Sequence, residues 1–266
     1  MFFPPRQRCK YYQKRRGKEM NHGKIKQILL LTDGCSNQGE DPAAVAAFAR
    51  EKGITVNVIG VLDHGSARDH GMQEVENIAA SGGGVSQIVN VDQLARTVQM
   101  VTKQSMTHTL HGVVQSELSQ ILGSGQEVDD LPPDKRGEVV DVVDELGETV
   151  DLDVLILVDT SASMKPKLPM VQDALTDLSI SLHSRTGENH FALFVFPGKR
   201  KDTEKMLDWT PEMNSLTGVF QRMTTGGITP TGPALQAALQ HFDKRLSKRS
   251  LKRYGEDEFP IEESGF

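Results

Sequence analysis

The chain has 266 residues, of which 37% are hydrophobic and 25% charged, and it carries a formal net charge of −6. These values describe a globular protein with room for one large domain or two small ones. They argue against a helical membrane protein, because no run approaches the roughly 20 apolar residues a bilayer helix needs and no signal-peptide core follows the basic start.

Two cysteines, Cys9 and Cys35, provide no disulfide framework and suit a reducing compartment, so the expected location is cytoplasmic. The charge is unevenly placed. Residues 1–19 hold seven Lys and Arg side chains against Glu19 alone, a net of +6, which leaves −12 on residues 20–266. Such an arm suits nucleic acid or an anionic surface. It has no apolar periodicity, however, and residues 20–26 open directly into a strand. The expectation is a disordered basic extension over 1–24, its first 19 residues an over-called translation start, with neither nucleic acid nor membrane as partner.

From there the chain alternates. Residues 25–33 read as a buried strand ending in Asp33, followed by a loop through Gly34, Cys35, Ser36 and Asn37. Asp41 and Pro42 supply an N-cap and a first-turn proline for a helix over 43–52 that Gly53 stops. A β-branched run predicts a strand over 54–62, a helix follows over 72–80, and residues 85–91 form a further short strand. Asp92 is placed to cap a long helix with Leu94, Val98, Val101, Leu110, Val114, Leu118 and Ile121 on one face. Residues 123–135 read as a linker and 136–146 as a short acidic helix whose apolar face is Val139, Val140, Val143 and Leu146. Packing against the domain is favoured over a partner-binding role for that helix.

The second half repeats the alternation. Val154 to Val158 are five consecutive apolar residues, as expected of a strand buried on both faces, and the run ends in Asp159, Ser161 and Ser163. A helix over 170–183, a strand over 191–196, an edge strand over 204–209 and a helix over 214–223 come next. The turn-rich loop 224–233 leads into a helix over 234–246, and the charged tail 247–266 is expected to be disordered. Strand–helix alternation of this kind predicts an α/β fold with a mostly parallel sheet.

In such sheets ligands bind at the carboxyl ends of central strands. Asp159, Ser161 and Ser163 are hard oxygen donors at that position and suit Mg²⁺ or a similar divalent cation; an ordinary Asp/Ser helix cap is the alternative reading of the same residues. The eight histidines form no evident zinc set, and His108 and His111, three apart on one helix, lack an acidic or thiol partner. Cys35 lies two residues from Asp33, with nothing nearby to lower its pKa.

Asp159-x-Ser161-x-Ser163 resembles the metal-ion-dependent adhesion site of von Willebrand factor type A domains. The loop 226–235 with Thr229 is similar to the family segment that supplies a metal-binding threonine, and the strand ending Thr32-Asp33-Gly34 is similar to the one that supplies the last aspartate. The resemblance covers nearly all of residues 24–102 and 151–246. It implies a Rossmann-like fold with a six-stranded sheet, helices on both faces, and a Mg²⁺ or Mn²⁺ site built from Asp159, Ser161, Ser163, Thr229 and Asp33. It also implies metal-dependent protein recognition rather than catalysis. The partner would present an Asp or Glu carboxylate, with a bacterial ATPase or kinase as the family expectation. Thr231 is assigned to capping the helix that follows.

The order departs from the family pattern, because the Thr-Asp-Gly strand precedes the Asp-x-Ser-x-Ser strand. Three strands in each half make one six-stranded sheet. The expected explanation is a circular permutation, with residues 25–102 as the family's C-terminal half, 103–150 as a helical connector and 151–246 as its N-terminal half. Halves exchanged between two chains in a swapped dimer are the rival arrangement. A phosphatase of the haloacid-dehalogenase type would need a second acid two residues beyond Asp159, where this chain has Ser161.

Overall fold

The structure is a computed structural model and describes residues 23–33, 36–62, 69–122, 128–211 and 227–256. The first half comprises β1 (Lys24–Thr32), α1 (Pro42–Glu51), β2 (Thr55–Leu62), α2 (Asp69–Ser81), β3 (Gly83–Asn90) and α3 (Leu94–Leu122). After α4 (Pro133–Thr149), the second half comprises β4 (Asp151–Asp159), α5 (Leu168–His183), β5 (Asn189–Phe196), β6 (Glu204–Thr210) and α6 (Thr231–Glu256). The helix expected over 214–223, Gly34 and Cys35 lie outside the described residues.

One six-stranded sheet runs in the order β3-β2-β1-β4-β5-β6. Every neighbouring pair is parallel except β5 and β6. This is the mixed α/β, Rossmann-like architecture expected from the sequence. The two central strands come from opposite halves of one chain, and their register sets Lys24 opposite Asp151 and Leu31 opposite Val158.

The pleat sends alternate side chains to opposite faces, and both faces are covered. Leu29, Leu31, Val154, Ile156 and Val158 pack under α3 and α5 with Leu94, Val98, Val171 and Leu175. Ile28, Leu30, Leu155 and Leu157 pack under α1, α2 and α6 with Val45, Ile78, Leu235 and Phe242. The continuous apolar runs in the central strands thus follow from burial on two sides. A charge cluster closes the opposite end of the sheet: Asp153, 3% exposed, takes Lys24 at 3.0 Å and Arg245 at 2.9 Å.

Helix α3 leaves the sheet partway along. Leu94, Val98 and Val101 are fully buried, whereas Val113 is exposed. Gly112 lies in that departing stretch with nothing within 4 Å of where a Cβ would stand. G112A is therefore expected to stabilise the protein by about 1 kcal/mol through helix propensity alone, read as a shifted urea midpoint at constant m-value.

Four local expectations need correction. Val140 does not belong to the buried face of α4: Val143 is buried and Leu146 packs beside it, while Val140 and Val142 are exposed. Positions 139, 143 and 146 share one helix face at i, i+4, i+7, and Val140 is a third of a turn away. Asp92 does not cap α3, since a 3₁₀ turn over Val91–Gln93 precedes that helix. The tail is not wholly without structure, because α6 runs on to Glu256. No proline or glycine interrupts residues 234–254, and the Lys/Arg cluster of 244–253 falls toward the C-terminal end of the helix, where the dipole favours cations. Thr231 is the first residue of α6 rather than its cap, and its buried Oγ1 has no hydrogen-bond partner among the described residues.

Candidate metal centre

Two carboxylates reach one end of the sheet because β1 and β4 are parallel neighbours of matched length. Asp159 closes β4 with no solvent exposure. Its Oδ2 accepts a hydrogen bond from Thr32 Oγ1 at 2.8 Å and its Oδ1 accepts one from the Ser161 backbone N–H at 2.8 Å. The Ser161 and Ser163 hydroxyl oxygens are 3.2 Å apart. Ser163 Oγ then donates to Asp33 Oδ1 at 2.9 Å, across 130 residues of sequence.

The loop between β4 and α5 holds this shape through its own anchors. Thr160 N–H donates to the Phe196 carbonyl at 2.7 Å, and Met164 N–H donates to the Ser161 carbonyl at 3.1 Å. The Met164 side chain is fully buried in the core beneath. With both ends of the turn fixed, Ser161 and Ser163 face the strand end.

Thr229 lies on a neighbouring loop, buried to 6% exposure. Asn37, four residues beyond Asp33, clasps its backbone: Asn37 N–H donates to the Thr229 carbonyl at 3.2 Å, and Thr229 N–H donates to Asn37 Oδ1 at 2.8 Å. Gly39 turns this loop in the left-handed region (φ 89°), against the Pro233 ring. The structure therefore gathers Asp33, Asp159, Ser161 and Ser163 into one hydrogen-bonded chain and brings Thr229 alongside through Asn37. Among the described residues the Thr229 hydroxyl makes no hydrogen bond to the other four. A cleft of about 580 Å³ opens next to this loop, lined among others by Ser36, Asn37, Glu40, Glu74 and Asn77.

Burial dominates the electrostatics. Desolvation pushes the Asp159 carboxyl up to about 6, against the hydrogen bonds from Ser161 and Thr32, and the Asp33 charge adds to the rise. Lys167 pairs with Asp33: its Nζ lies 2.5 Å from Asp33 Oδ2 and 3.1 Å from the Val61 carbonyl oxygen. Asp159 is left as a buried acid with hydroxyl and amide neighbours. Such an arrangement offers oxygen donors to a hard cation, which would offset the desolvation cost.

Thr32, Asn37 and Lys167 are the residues that sequence reasoning missed. Thr32 was visible as the residue before Asp33 but had no assigned role. Lys167 leaves no local signal, because Lys165 and Lys167 flank Pro166 alike and only the fold buries one of them. His108 is exposed and His111 half-buried, and among the described residues no three His, Cys, Asp or Glu side chains gather as a metal-binding group.

Comparison with known proteins adds three findings. The family model for the von Willebrand factor type A domain matches residues 8–104. A Bacillus subtilis (strain 168) protein described as uncharacterized protein YabS is 58% identical over 246 residues, which is 92% of this chain and 100% of that one. The crystal structure of an uncharacterized protein from Alicyclobacillus acidocaldarius subsp. acidocaldarius DSM 446 is 39% identical, covers 85% of this chain and 96% of its own, and superposes with a TM-score of 0.79.

Proposed function

Because the chain belongs to the von Willebrand factor type A domain family, we propose that it is a metal-dependent protein-recognition module. Asp33, Asp159, Ser161, Ser163 and Thr229 would hold a divalent cation, Mg²⁺ or Mn²⁺. The observation that carries this reading is the fully buried Asp159 carboxyl, set among hydroxyls and pushed up to about 6, with no cation paired to it among the described residues. When bound, the ion supplies an electrophilic position that takes an Asp or Glu carboxylate from a partner. The chain's own residues orient the donors: Thr32 and the Ser161 amide fix Asp159, and Ser163 fixes Asp33.

Recognition rather than catalysis is favoured by the donor set. Ser161 stands two residues beyond Asp159, where a haloacid-dehalogenase-type phosphatase would need a second acid. The partner class we favour is a cytoplasmic ATPase or kinase carrying an exposed acidic residue. Cytoplasmic location is supported by the sparing use of cysteine; no helix among the described residues is long and apolar enough to cross a membrane.

We also read the domain as circularly permuted. Two observations support this: the Asp33 strand lies beside the Asp159 strand in a single chain, and the family match over 8–104 includes Asp33 but ends before Asp159. α3 and α4 then serve as the connector between the exchanged halves, stitched down where Arg185 donates to the carbonyls of Gly147 and Val150.

Isothermal titration with Mg²⁺ and with Mn²⁺ tests the function directly. The wild type is expected to bind one ion, and S161A/S163A is expected to lose about tenfold or more in affinity, since two donors leave an otherwise intact site. A wild type that binds neither ion defeats the recognition reading.

A further inference from the structure

Lysine is rarely buried, and then only when paired. Lys167 is 3% exposed, and its ammonium lies 2.5 Å from Asp33 Oδ2, whose side chain is 4% exposed. It reaches the site from the 3₁₀ turn Lys165–Lys167 and is steadied by the Val61 carbonyl at the end of β2, 3.1 Å away. The neighbouring Lys165 is exposed, so burial is particular to one of the two lysines flanking Pro166.

The placement divides Asp33 between two duties. Oδ1 faces the serines through Ser163, and Oδ2 is held by the ammonium. The ammonium thus offsets the charge of Asp33 without covering the side of Asp33 that the hydroxyls share. Opposite charges in a poorly hydrated site interact strongly, and like charges repel as strongly, so the same ammonium opposes the arrival of any other cation.

We propose that Lys167 is a built-in cation that shares Asp33 with the metal, stabilising the ion-free site and weakening divalent-cation binding in return. Lys167 is a positioning residue here, acting on the ion through Asp33. This rests on the metal-binding reading given above.

The test compares wild type, K167M and K167R by Mg²⁺ titration and by melting temperature in EDTA and in saturating Mg²⁺. K167M is expected to bind Mg²⁺ about tenfold more tightly, as removal of a cation beside the site implies. Its loss of melting temperature is expected to be larger in EDTA than in Mg²⁺, where the ion takes over the charge of Asp33. K167R keeps the cation and is expected to bind like the wild type. A merely structural lysine would lower stability equally in both buffers without tightening metal binding, and a K167M affinity equal to or weaker than wild type overturns the proposal. If K167M does not fold, K167Q, which keeps a donor for the Val61 carbonyl, takes its place in the same comparison. Should the wild type bind no Mg²⁺ while K167M does, the lysine proposal stands and the recognition reading falls; if neither binds, both fall.

Discussion

In the ion-free protein at pH 8, D159N is expected to be more stable than the wild type by about 2 kcal/mol, and its melting temperature is expected to ignore Mg²⁺. The reason is a carboxyl whose folded pKa of about 6 lies above its ordinary value of 3.8. A group shifted in that direction contributes stability that is fully present below pH 3.8 and is lost as pH rises through about 6. Above that window the wild type holds an ionised, fully buried carboxylate, and a shift of this size corresponds to roughly 3 kcal/mol. Part of the gain is forfeited in D159N, because the hydrogen bond from the Ser161 amide is weaker to a neutral acceptor. The shape of the site survives: the Asn oxygen accepts from Ser161, and its amide donates to the Thr32 hydroxyl. Urea unfolding in EDTA at pH 4.5 and pH 8 reads the effect, with the two proteins converging at the lower pH. In Mg²⁺ the wild type alone is expected to gain stability as pH rises, since the ion binds the ionised form. A D159N less stable than wild type at pH 8 in EDTA would mean that Asp159 is ionised at little cost, and the argument for a cation at this position would lose its main support.

The parts of the fold legible from sequence are those set by burial on two sides. Ile28 to Leu31 and Val154 to Val158 form unbroken apolar runs because helices cover both faces of the central strands, and such runs end abruptly at the edge of that double cover. Asp33 and Asp159 stand at those abrupt ends, so the carboxylates were easy to single out. Their meeting could be anticipated only through strand order, which depends on the resemblance and not on local pattern. What remained illegible was decided by one side chain at a time. Lys165 and Lys167 are the same residue type on either side of a proline, and only the tertiary fold assigns one to water and the other to Asp33. Asn37 lies in a polar loop where nothing distinguishes a clasp on Thr229 from a solvated turn. The end of α6 is illegible for a related reason: a run of Lys and Arg reads as solvated tail whether or not its backbone is helical, and charge carries no packing signal. Thr231 shows the limit of capping rules, since a shift of two residues in the start of a helix turns an expected cap into a buried hydroxyl inside the first turn.

G232A is expected to cost about 2 kcal/mol of stability and to weaken Mg²⁺ binding about tenfold, although alanine ordinarily favours a helix over glycine. A Cβ at Gly232 would stand 2.0 Å from the Glu40 carbonyl oxygen and 2.8 Å from its carbon, contacts with backbone that no side-chain rotation can relieve. Overpacking of this kind costs roughly 1–3 kcal/mol, and here it exceeds the helix-propensity gain of about 1 kcal/mol. Relief requires the loop 36–40 to move away from the start of α6. That movement would strain the paired hydrogen bonds between Asn37 and Thr229 and the packing of Gly39 on Pro233. It would also disturb Ser36, whose N–H is held by both Glu74 carboxylate oxygens at 2.9 Å. Metal affinity then falls because Thr229 and Asp33 lose their common frame, even though neither has been changed. Gly227 provides the control, since it lies five residues earlier, ahead of α6, and no described residue comes within 4 Å of its Cβ position. G227A is expected to leave stability and Mg²⁺ affinity within error of the wild type. If G232A unfolds at the same urea concentration as G227A, the loop after β1 is not locked to the threonine loop. In that case Thr229 must be set by its own loop alone.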